Sequence, residues 1–114
     1  MSQDTQSERT YYNKLVRDRI PEIIHSHGDT CHTEVLNTEE YQVALKNKLI
    51  EEAQEVASAS STSDLLMEIA DVYEVLAALC RIHNLSSETV MLAQQQKRDQ
   101  NGGFEQRIKL CWTE

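Results

Sequence analysis

Apolar residues recur at helical spacing through two long stretches of the chain. From Asn37 or Thr38 to about Ala59, and again from about Ser63 to His83, leucine, isoleucine, valine and alanine return every three or four residues. The segment "SASSTS" interrupts this pattern between the two stretches. The pattern predicts two long helices joined by a short link, which fold back on each other as an antiparallel pair.

Shorter elements are predicted on both sides of this pair. A short helix is expected near residues 19–27, with Asp18 as its N-cap, Pro21 in its first turn and Gly28 as its stop. Residues 29–37 show no helical period, and a further helix should run from about Ser87 to Gln100, where "NGG" ends it. With three Gly and one Pro in the chain, the composition favours an all-α fold, an antiparallel helical bundle.

The length of the chain bounds its organisation. A chain of 114 residues suits one domain, which we place at residues 11–114, after a flexible N-terminus at residues 1–10. No window contains the roughly eighteen apolar residues of a membrane span. Three cysteines without a C-x-x-C spacing, and no apolar leader, predict a cytoplasmic protein with no membrane partner.

Charge is distributed unevenly along the chain. Residues 34–74 contain ten acids and two lysines, so this segment alone carries the full net charge of -8. The concentrated basic residues lie before and after it. A nucleic-acid-binding protein needs a continuous basic face, so the pattern argues against nucleic acid as a partner. It suits a bound cation whose anionic ligand is held by the basic flanks.

Acids of the first long helix fall on its apolar face. With Leu45 as the reference at about 100° per residue, Glu52 lies near -20°, within the apolar stripe. Glu55 lies at the edge of the stripe, near -80°, and Glu51 lies further out, near -120°. The helix therefore directs at least one carboxylate toward its apolar partner.

The second long helix repeats this feature. With Leu65 as the reference, Glu68 falls near -60° among apolar neighbours and Asp71 falls near -120° beside them, whereas Glu74 points away near 180°. Burying several carboxylates together is costly unless a cation compensates them, and few basic residues lie nearby in sequence. A single acidic pair is more often a solvated face, but two pairs on facing helices favour a hard divalent ion, Mg²⁺, for which Mn²⁺ can substitute.

The spacing of these acids resembles a known signature. "EEAQE", twelve residues and "EIAD" match the E-E-x-x-E, spacer, E-x-x-D pattern of the MazG-type all-α nucleoside triphosphate pyrophosphohydrolases. "NKLVRDRIPEII" and "KRDQNGGFEQRI" resemble the ends of the phosphoribosyl-ATP-pyrophosphohydrolase-like branch of that superfamily. The resemblance covers about Asn13 to Ile108.

The resemblance implies a helical bundle that forms a homodimer or tetramer and binds a nucleotide substrate. The implied reaction is Mg²⁺-dependent cleavage of a (d)NTP between its α and β phosphates, giving a nucleoside monophosphate and pyrophosphate, in nucleotide-pool house-cleaning. Carried over by position, the metal ligands are Glu52, Glu55, Glu68 and Asp71. Glu51 matches the remaining carboxylate of the motif, with a catalytic role in orienting or deprotonating the attacking water. Candidates to bind phosphate or substrate are Lys14, Arg17, Arg19, Lys97, Arg98 and Gly103.

Other functions fit parts of the sequence. One fold serves several nucleotides, so a phosphoribosyl-ATP pyrophosphohydrolase of histidine biosynthesis is the enzymatic alternative. A helical metal-binding or regulatory module without enzymatic activity is the second. His25, His27, Cys31 and His32 are residue types that zinc accepts, but their spacing fits no usual zinc signature.

Overall fold

The computed structural model describes residues 8–114, and these residues form four helices and no strand. The helices are α1 (Ile20–Ser26), α2 (Thr38–Ser58), α3 (Thr62–Ile82) and α4 (Ser87–Asn101). The all-α prediction is confirmed, and each predicted helix is found within about two residues of its expected bounds. The flexible N-terminus predicted at residues 1–10 lies mostly outside the described residues.

Polar side chains fix where the three longer helices begin. Asn37 caps α2 in a capping box with Glu40: its side chain accepts from the Glu40 amide at 2.9 Å, and the Glu40 carboxylate accepts from the Asn37 amide at 3.2 Å. Ser61 caps α3 by accepting from the Asp64 amide, and Ser86 caps α4 in the same way. The predicted starts of these helices therefore rest on ordinary capping chemistry.

The prediction that Asp18 caps α1 is wrong. The amide of Ile20 donates to the carbonyl of Arg17 at 3.0 Å, and this turn places Asp18 one residue before the cap. The N-cap is Arg19, which makes no side-chain cap hydrogen bond and instead pairs with Glu22 at 2.7 Å. The short helix begins without a polar cap.

Packing between α2 and α3 forms the core of the described chain. Only residues 59–61 separate the two 21-residue helices, so they run antiparallel and contact each other along their length. Leu45 is 2% exposed, and Val75 and Ala78 are buried against it. The partly buried side chains around this core are those of Leu15, Tyr41, Leu49, Leu79 and Ile82.

The buried stripe of α3 is centred on Val75 and Ala78, and Leu65 is partly buried. Glu68, Asp71, Val75 and Ala78 follow one another at intervals of three, four and three residues, so they share one face of the helix. Both acids therefore lie in line with the core. On α2, Glu52 lies two turns beyond the buried Leu45, on the same face.

The C-terminal region is exposed. Every residue of α4 and of the tail after it is exposed, including Leu92, Phe104 and Trp112. The chain is correspondingly elongated, with extents of 72 × 34 × 31 Å. No helix in the described part of the chain is both long and apolar enough to cross a membrane.

Candidate metal centre

Three carboxylates converge between α2 and α3. One oxygen from each of Glu52, Glu68 and Asp71 lies within 4.8 Å of the other two. Within residues 8–114 no other three His, Cys, Asp or Glu side chains meet in this way. Glu52 is 8% exposed, and the other two side chains are half-buried. We call these three residues the acidic centre.

The geometry and the donor set fit a hard divalent cation. Two oxygens bound to one Mg²⁺ lie at most about 4.2 Å apart, so small side-chain rotations would bring the three oxygens of the acidic centre to a common ion. All three donors are carboxylates, which Mg²⁺ and Mn²⁺ prefer over nitrogen or sulfur. The acidic centre could therefore hold one such ion, with water or substrate oxygens completing its coordination.

The electrostatic environment of Glu68 also favours a bound cation in the acidic centre. Burial raises the pKa of Glu68 above its ordinary value, and the carboxylates of Glu55, Asp71 and Glu52 raise that pKa further. The ionised form of Glu68 is thus disfavoured by its surroundings. A bound divalent cation would reverse this effect because it favours the ionised form of every ligand.

Glu55 and Glu51 lie outside the acidic centre. Glu55 is exposed, although its charge is close enough to raise the pKa of Glu68. Glu51 accepts from the Lys14 ammonium at 3.0 Å and from the Lys48 ammonium at 3.5 Å. The hydrogen bond from Lys14 is the largest cause of the lowered pKa of Glu51, so this carboxylate is ionised at neutral pH.

Basic residues compensate part of the acidic centre, contrary to the sequence-based expectation of a poor local supply. The Lys48 ammonium lies 3.3 Å from the Glu52 carboxylate, and the Arg17 guanidinium lies 2.6 Å from the Asp71 carboxylate. Lys48 precedes Glu51 and Glu52 by three and four residues, a spacing that indicates ion pairs on a helix. No local spacing could have indicated the pairing of Arg17 with Asp71, since 54 residues separate them.

The candidate phosphate-binding residues divide into two groups. Lys14 and Arg17 lie at the edge of the acidic centre through the ion pairs described above. Arg19 pairs instead with Glu22, and Arg98 pairs with Glu105 at 3.0 Å. Lys97 lies on the exposed α4, and Gly103 lies directly against the Arg98 guanidinium, where a side chain would collide with it. Within residues 8–114, the second group makes no ion pair with the acidic centre or with Glu51 beside it.

The candidate zinc residues are only partly brought together. The Cys31 sulfur lies 3.6 Å from the His25 ring, but in the described part of the chain His27 and His32 do not join them in a group of three ligands. Two ligands are fewer than the four that a structural zinc site uses.

Comparisons with known proteins give little information on function. No family model matches the chain, and no solved structure matches it. A protein of Mycolicibacterium smegmatis, described only as uncharacterized, is 46% identical over 55 residues. That match covers 48% of this chain and 55% of the relative, so the chain spans about half of the relative's length.

Proposed function

We propose that this chain is a Mg²⁺-dependent nucleotide pyrophosphohydrolase of the MazG type, which hydrolyses a (d)NTP to a nucleoside monophosphate and pyrophosphate. The observation that carries the proposal is the convergence of Glu52, Glu68 and Asp71 within 4.8 Å, in line with the core of two antiparallel helices. The same three residues belong to the sequence pattern that resembles this superfamily. Glu52 is buried, and the neighbouring carboxylates disfavour ionised Glu68, so a role as solvated surface charges is a poor explanation for the three.

The acidic centre, Glu51, Lys14 and Arg17 each have a role in the proposed reaction. Mg²⁺ held by the three carboxylates would supply the positive charge that a triphosphate needs for attack at phosphorus. The ionised Glu51 carboxylate can accept a hydrogen bond from water and orient it toward the α phosphate. Lys14 and Arg17, which pair with carboxylates at the edge of the centre, would bind phosphate oxygens of the substrate.

Pyrophosphate release tests the proposal directly. The purified protein with MgCl₂ should release pyrophosphate and a nucleoside monophosphate from at least one member of a panel of canonical, deoxy and damaged nucleotides and phosphoribosyl-ATP. Preference for phosphoribosyl-ATP would instead support a function in histidine biosynthesis. Binding of Mg²⁺ without turnover of any panel member would favour the non-enzymatic metal-binding module.

A matched pair of variants tests the site. Glu52→Gln should lower kcat/KM by about 100-fold or more, because a lost ligand removes several kcal/mol of charge stabilisation in the transition state. Glu74→Gln makes the same chemical change at an exposed position of α3 and should leave activity near that of the wild type. Equal activity of both variants would refute the site even if the protein hydrolyses nucleotides.

We also propose that the protein is a homo-oligomer. On α3, Leu66, Ile69, Tyr73 and Leu76 repeat at intervals of three, four and three residues and are 38–71% exposed, a spacing that favours packing against another helix. Light scattering at micromolar concentration should give at least twice the chain mass, and a monomer would refute this proposal.

A further inference from the structure

A segment before α1 crosses the edge of the acidic centre and contacts both of the helices that form it. In this segment, residues 13–17, which we call the strap, the Leu15 side chain packs against the core. Lys14 pairs with Glu51 of α2, and Arg17 pairs with Asp71 of α3. Leu15 thus anchors the strap, and the cations on either side of it reach different helices.

The contact between Arg17 and Asp71 conflicts with metal binding at the same carboxylate. The guanidinium lies 2.6 Å from one Asp71 oxygen, where it uses a lone pair of that oxygen and neutralises the charge that would attract a metal ion. A divalent cation in the acidic centre would also repel the positive charge of Arg17. Arg17 and the cation therefore compete for Asp71.

We propose that Arg17 is exchanged for the divalent cation: it neutralises Asp71 in the metal-free protein and leaves that carboxylate when the ion binds. This inference rests on the proposed metal centre. The ion pair is suited to exchange, because its side chains are 57% and 38% exposed and it is therefore weak enough to displace. The strap stays in place after the exchange, since Leu15 still packs against the core and Lys14 still pairs with Glu51, which is outside the acidic centre.

The exchange determines when Arg17 can bind an anion. Before the cation binds, the guanidinium is engaged by Asp71. Afterwards it is released beside a newly bound positive charge, where the phosphates of a substrate would lie. Arg17 thus becomes a phosphate ligand only at a centre that has already taken up its metal, which favours an order of binding with metal first.

Calorimetric titration of MgCl₂ into the wild type and Arg17→Gln, without nucleotide, tests the exchange. Arg17→Gln should bind Mg²⁺ about two- to fivefold more tightly, the change that corresponds to losing a competing exposed ion pair. Arg81→Gln is the matched control, because it removes the same charge from a residue of α3 that pairs with Glu74. It should leave the affinity unchanged. In EDTA, Arg17→Gln should have a lower Tm than the wild type, and saturating Mg²⁺ should reduce this difference.

Each outcome decides the proposal. Equal or weaker Mg²⁺ affinity of Arg17→Gln would overturn the exchange, and a wild type that binds no Mg²⁺ would overturn both the exchange and the proposed hydrolase. Tighter binding by Arg17→Gln in a protein that hydrolyses no nucleotide would support the exchange and refute the hydrolase. Should Arg17→Gln fail to fold, NMR of the wild type gives the answer: the Arg17 side-chain Nε–H resonance should shift on Mg²⁺ saturation while that of Arg81 does not, and an unmoved Arg17 resonance would overturn the exchange.

Discussion

The side chains between α2 and α3 are held by packing within the chain, whereas those of the C-terminal region are exposed. In the pair, burial around Leu45 fixes the helices and brings the carboxylates of Glu52, Glu68 and Asp71 together. In α4 and the tail, apolar and basic side chains alike are exposed. The acidic half of the proposed site is thus built by a single chain.

The basic residues of the proposed site are only partly brought together by this chain. Lys14 and Arg17 reach the edge of the acidic centre because Leu15 anchors the strap that carries them. Lys97 and Arg98 lie on a helix that is exposed over its whole length. Any role for these two residues in binding substrate depends on an additional surface, such as the second copy proposed above.

The largest difference in protein stability is expected between alanine substitutions at two leucines, one buried and one exposed. Leu45→Ala removes a side chain that is 2% exposed and should lower the free energy of unfolding by about 2–5 kcal/mol, a large part of the total for a small domain. Leu92→Ala on α4 removes a side chain that is 68% exposed. This substitution should change the free energy of unfolding by less than about 0.5 kcal/mol in a monomer. Urea denaturation measures both. A large effect of Leu92→Ala that grows with protein concentration would show that a partner covers α4.

A smaller effect, of opposite sign, is expected for Glu68→Gln without metal. The folded-state pKa of Glu68 lies above its ordinary value of 4.5, so its ionised form is less favourable in the folded chain than in the unfolded one. This unfavourable contribution is absent below pH 4.5 and develops as the pH rises through the folded-state pKa. Glu68→Gln should therefore raise the Tm in EDTA at pH 7 but not at pH 4, whereas Mg²⁺ binding should weaken.

Glu74→Gln serves as the control for Glu68→Gln, because it removes an acid from the exposed face of the same helix. It should leave both the Tm and the Mg²⁺ affinity near their wild-type values. A lower Tm of Glu68→Gln in EDTA at pH 7 would contradict the interpretation that the carboxylates of the acidic centre repel one another.

The smallest effect on protein stability is expected from breaking the ion pair of Lys14 and Glu51. Both side chains are a third or more exposed, so the pair should contribute at most about 1 kcal/mol. The pKa of Glu51 is lowered, so its contribution is present above pH 4.5 and is lost as the pH falls through the folded-state value. Glu51→Gln should thus be less stable than the wild type at pH 7, and urea denaturation should show this difference becoming smaller as the pH falls below 4.5. A difference that stays constant as the pH falls would assign the effect to packing.

Local patterns in the sequence were sufficient to predict the helices and the inward direction of Glu52. Asn37 and Ser61 cap the predicted helices because a cap depends on residues only three positions apart. Glu52 is buried because it repeats the position of Leu45 seven residues later, close to two helical turns.

Contacts between distant residues could not be predicted in this way. The burial of Ala78 on α3 depends on the core cluster that it forms with Leu45 and Val75, which the helical wheel of α3 alone does not show. The pairing of Arg17 with Asp71 depends on how the strap lies across α2 and α3, which no local spacing encodes.

The three-residue link between α2 and α3 also affects the order in which the chain folds. Closing a short loop costs little entropy, and helices that contact their neighbours in sequence form quickly. Glu52, Glu68 and Asp71 all belong to this one hairpin, whereas Leu15 must close a loop of about thirty residues to reach Leu45. The carboxylates would thus be assembled early, and the segment carrying Arg17 would dock onto them in a later step.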